Sequence, residues 1–103
     1  MGDRAHIKVE QGYGDVYLYT HWGGYKIEQD IKDGLHRGHN RWDDPDYLTR
    51  ILFDAMKGSD VTGETGFGIS ASVPDGSPWV VNVPDRTVTN PEGRTMTFED
   101  CVK

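Results

Sequence analysis

DDPDYLTRILFDAMKG, residues 43–58, decides the architecture. Asp43 or Asp44 can cap a helix start, Pro45 suits a first turn, and acidic residues there complement the helix dipole. Leu48, Ile51, Leu52, Ala55 and Met56 recur at i, i+3, i+4, i+7 and i+8, the core-facing stripe of an amphipathic helix. Lys57 and Gly58 close it. An apolar stripe of this kind must be buried against another layer, and the flanking residues say which.

Upstream, Ala5, Ile7 and Val9 alternate with His6, Lys8 and Glu10, the period of a half-buried strand. GYGD (12–15) is a turn signal, and 16–22 reads as the return strand of a hairpin. On that strand Val16, Leu18, Thr20 and Trp22 share one side, and Tyr17, Tyr19 and His21 the other. Gly23-Gly24 stops it. Ile27, Ile31 and Leu35 then form one stripe of a first helix, with Gly38 as its terminator. The connector RGHNRW (37–42) has no period.

Downstream of a loop at 59–66, Phe67, Ile69, Ala71 and Val73 alternate with Gly68, Ser70 and Ser72. PDGSP (74–78) turns the chain into WVVNV, a further strand. PDRTVTN and EGRTMTF read as a final short strand region, and Thr97 can cap a short C-terminal helix. The predicted order is ββααβββ. This is an α+β domain, with an antiparallel sheet of about five strands and two helices packed on one face. Ile7, Leu18, Phe67 and Ile69 are expected on the helix-facing side.

The chain has 103 residues, which suits a single domain over 1–103. Its net charge of −6 argues against direct nucleic-acid binding, which needs a basic face. Cys101 is the single cysteine, so neither an internal disulfide nor a multi-cysteine zinc site is available. No stretch approaches the ~20 apolar residues of a membrane span, and the N-terminus lacks the apolar run of a signal peptide. The expected compartment is the cytoplasm, without membrane association.

Three places carry candidate chemistry. In YLYTHWGG (17–24), Tyr17, Tyr19, His21 and Trp22 put four rings within six residues. Rings beside Ser70, Ser72 or other small residues suit a planar ligand, or equally a subunit contact. Arg37 and Arg41 in the connector can pair bidentately with phosphate or carboxylate, or with the acids beside them. Thr65 and Gly66, in GETGFG, offer a hydroxyl and an approachable backbone amide, yet the spacing matches neither a phosphate loop nor a dinucleotide fingerprint. Catalysis has thin support. His21 with Glu64 could act as a base, but no nucleophile motif accompanies them, and no metal or cofactor is expected.

YLYTHWGG, RWDDPDYLTRILF (41–53) and GETGFGIS (63–70) together resemble a set of small, mostly uncharacterised proteins of phages, prophages and some archaea. The resemblance spans roughly residues 3–83 and implies a setting: small viral proteins often act against host defence, in the host cytosol. The expectation is a non-enzymatic binder, a homo-oligomer that sequesters a small anionic, nucleotide-like ligand. Tyr17, Tyr19, His21 and Trp22 would stack on it, Arg37 and Arg41 would carry charge, and Thr65, Gly66 and Ser70 would make polar contacts. The alternative is an inhibitor that binds a host defence protein through an acidic surface. An orphan hydrolase is the third reading.

Overall fold

The alternating N-terminal residues form β1 (Ala5–Glu10), which pairs antiparallel with β2 (Asp15–Thr20). The turn between them closes with the Gln11 amide donating to Gly14 O at 3.1 Å, and Gly12 takes φ +99°, which favours glycine. The structure, a computed structural model, describes residues 4–21, 24–58, 66–74 and 76–103. Trp22 and Thr65 therefore lie outside the described residues, as does Glu64.

The two helices are α1 (Ile27–Arg37) and α2 (Pro45–Lys57). Asp44 is the residue that caps α2, its carboxylate accepting from the Tyr47 amide. After Gly58 the described elements are β3 (Phe67–Ser70), β4 (Trp79–Asn82), β5 (Thr87–Thr89), β6 (Thr95–Thr97) and a short α3 (Phe98–Cys101) capped by Thr97; the segment 59–65 lies outside the described residues. The fold is α+β: a mostly antiparallel sheet of six strands in the order β3-β2-β1-β4-β5-β6. Two details differ from the sequence expectation. The final strand region is two strands, because 90–94 turns the chain between TVT and TMT. The sheet is also mixed, since β1 and β4 run parallel.

One face of the sheet carries Ile7, Val9, Leu18, Val81 and Val88 into a shared core with Ile27, Ile31 and Leu35 of α1 and Leu48, Leu52 and Met56 of α2. The helices cross where Gly34 meets Leu52; a Cβ at 34 would sit 3.2 Å from Leu52 Cα. Ile51 is only half-buried, at the margin of the α2 stripe. Ile69 pairs with Leu18 and so points to the helix side as expected, but it is 60% exposed. β3 is an edge strand, and of its two helix-side residues Phe67 packs against the core while Ile69 does not.

The connector RGHNRW contributes to the core although it lacks a period. Trp42 is buried, donates from Nε1 to Leu35 O at 2.9 Å, and packs edge-on against Phe98. The bond satisfies a carbonyl at the C-terminal end of α1, where helices leave acceptors unpaired. Lys26 does the same for α2: its Nζ donates to Met56 O at 2.7 Å while pairing with the buried Asp30. Burial raises the Asp30 carboxyl above the usual aspartate range, and Lys26 opposes that shift.

The connection 71–78 matters most for function. β3 and β4 point the same way but are separated by β2 and β1, so the chain must cross roughly 14 Å of sheet. The helices occupy one face, and Ser72, Val73 and Pro74 of the connection lie against the other.

Candidate functional site

Period-two alternation puts His6, Lys8, Tyr17, Tyr19, Gly68 and Ser70 on the face away from the helices. Cross-strand pairing makes rows of them: His6 opposite Tyr19 opposite Gly68, and Lys8 opposite Tyr17 opposite Ser70. The ladder continues one step further, with the His21 amide donating to Gly66 O at 2.8 Å. The same register puts Arg4 across from His21. Gly66 takes φ +103°, so its role here is backbone geometry that a side chain would strain.

This face is not bare. Ser72, Val73 and Pro74 of the crossover join Arg4, His6, Tyr19, His21 and Ser70 around a half-open cleft of about 330 Å³. His6 and Tyr17 are both buried on this face. Their rings lie 6.0 Å apart. Tyr19 is half-buried and meets His21 edge-on at 5.6 Å. Its ring lies directly over Gly68, where a Cβ would collide with Cζ and Oη. The missing side chain at 68 is thus filled by Tyr19 itself.

Of the residues singled out in the sequence, Tyr19, His21 and Ser70 line this cleft. Tyr17 does not line it; it is buried beside His6. Ser70 Oγ is held in a local turn, donating to Ser72 O and accepting from the Ser72 amide. Arg37 and Arg41 are elsewhere. Arg37 is exposed at the end of α1, and Arg41 lies 4.8 Å over the Tyr47 ring, which Arg50 also approaches. Neither lines the cleft.

Arg4 and His6 were missed by sequence reasoning. The signal was present: Arg4, His6 and Lys8 continue one side of the β1 alternation, a basic stripe in an acidic chain. Lys8 is neutralised by Glu10 at 3.2 Å and Asp15 at 3.8 Å, so Arg4 is the cleft's fixed positive charge. His6 Nε2 is buried without a hydrogen-bond partner, and burial lowers the imidazole below the ordinary histidine range.

A concavity of about 390 Å³ also gathers a histidine, a ring and an arginine, His39, Trp42 and Arg86, but Asp43 and Glu99 line it with them. A cleft of about 400 Å³ between α1 and the β4–β6 end is floored by Ile31, Trp79, Val88 and Met96. Cys101 lies there, its thiol raised by burial. Among the described residues no three His, Cys, Asp or Glu side chains cluster as metal ligands, and no helix is long and apolar enough to cross a membrane. Comparison with protein-family models, curated proteins and solved structures finds no match.

Proposed function

We propose that this protein captures a small, planar, anionic ligand of nucleotide-like chemistry in the cleft between the crossover and the sheet, without transforming it. The observation that carries this reading is the convergence of Arg4, Tyr19 and His21 on one half-open cavity. A guanidinium recognises phosphate, and a ring edge or face supports a base. At about 330 Å³ the cavity lies at the small end of the ligand-pocket range, which suits one nucleotide unit. Binding without chemistry fits the Ser70 hydroxyl, which is already engaged on both its donor and acceptor sides. In the phage setting that the resemblance implies, such capture in the host cytosol would withdraw a nucleotide signal from host defence.

A second reading draws on a separate observation. Ile69 and Val73 are 60% and 71% exposed beside the edge strand, in a run without charge from 66 to 74. An uncharged edge favours association with a second copy or with a host defence protein. Mass spectrometry of small molecules released from the purified protein separates the two. Release of a nucleotide in near-equimolar amount is expected. A protein that releases none, and instead retains a host complex, would replace ligand capture with the second reading.

A further inference from the structure

His6 is the least ordinary residue of the cleft. It is 98% buried on the sheet face opposite the helices, and its Nε2 has no hydrogen-bond partner. Buried polar atoms are nearly always paired, so the unpaired, enclosed Nε2 of a residue that lines the cleft is a group whose protonation a ligand's charge can change. Its charged neighbours make the case specific. On its own strand it lies between Arg4 and Lys8, and β2 presents Tyr17, Tyr19 and His21. β3 presents Gly68 and Ser70, and the crossover presents Ser72, Val73 and Pro74. The carboxylates of Glu10 and Asp15 are drawn to Lys8. Among the described residues no acid pairs with His6, so none of them supplies an imidazolium there with a counter-charge.

We infer that the cleft is a proton-coupled anion site: an anionic ligand enters beside Arg4, and His6 takes up one proton as it binds, so capture tightens in mild acid. The inference rests on the ligand reading above. In the free protein, burial holds His6 neutral at pH 7. A phosphate beside it supplies the missing negative charge and makes the protonated form favourable. The sign follows. The bound form holds more protons than the free form between the free and bound titration points of His6. Affinity therefore rises as pH falls through that interval, by at most about tenfold per pH unit for one proton.

The probe is 3′,5′-cyclic AMP, whose phosphodiester keeps one negative charge from pH 6 to pH 8, with adenosine as its uncharged counterpart. Calorimetry at both pH values, in buffers of different ionisation enthalpy, reads affinity and proton uptake together. Cyclic AMP is expected to bind several-fold to about tenfold tighter at pH 6 with uptake of up to one proton, and adenosine is expected to show neither effect. His6→Gln should remove the gain, while His21→Gln weakens binding at both pH values alike. NMR titration of the His6 imidazole in the unaltered protein needs no variant, and its midpoint should rise on adding cyclic AMP. Binding that is independent of pH, or a gain that survives His6→Gln, overturns the coupling and leaves ligand capture standing. Failure of cyclic AMP to bind at either pH overturns both.

Discussion

Tyr19 can lie flat across its neighbouring strand only because position 68 has no side chain. The pairing links sequence to site directly: a glycine at the edge strand admits a ring, and the ring becomes one wall of the cleft. Gly68→Ala must push the Tyr19 ring away, since a Cβ there would overlap it. The change is expected to weaken nucleotide binding at least tenfold, measured by calorimetry, with a stability loss of about 1–3 kcal/mol for overpacking. Binding unchanged in Gly68→Ala would show that the ring's position over the glycine has no part in the site.

At the scale of elements, α2 joins α1 and the sheet in one core. Leu52 is fully buried and meets both α1, at Gly34, and the sheet core. Leu52→Ala is expected to cost ~2–5 kcal/mol in denaturant melts, the range for emptying a buried Leu site. A loss below about 1 kcal/mol would contradict this packing. The helix was legible because its period, its Asp44 cap and its Gly58 stop are all local, within sixteen consecutive residues. The β1–β2 hairpin was legible for the same reason. The parallel pairing of β1 with β4 was not. It joins residues 72 apart, as in the Asn82 to Glu10 side-chain hydrogen bond, and nothing in either strand's own alternation names its neighbour. Trp42 was hidden in the same way: an aromatic in a polar connector has no periodic company, and only the fold brings Leu35 O and Phe98 to it.

For the molecule as a whole, the topology decides which charges can share a ligand with Tyr19. The sequence offered Arg37 and Arg41 because they are the conspicuous arginines between the aromatic strand and the second helix. Neither lines the cleft, where Ser72, Val73 and Pro74 of the crossover meet Arg4, Tyr19 and His21. Parity along β1 marked Arg4 as a partner of His6 and Lys8, but which face a crossover covers depends on the strand order, which no short stretch encodes. The most direct measurement is calorimetric titration of cyclic AMP into Arg4→Gln and into the double variant Arg37→Gln/Arg41→Gln. Arg4→Gln is expected to lose at least tenfold in affinity, about 1.4 kcal/mol or more, with the double variant binding like the unaltered protein. Loss in the double variant with Arg4→Gln unaffected would contradict the cleft and return the ligand to the helix side.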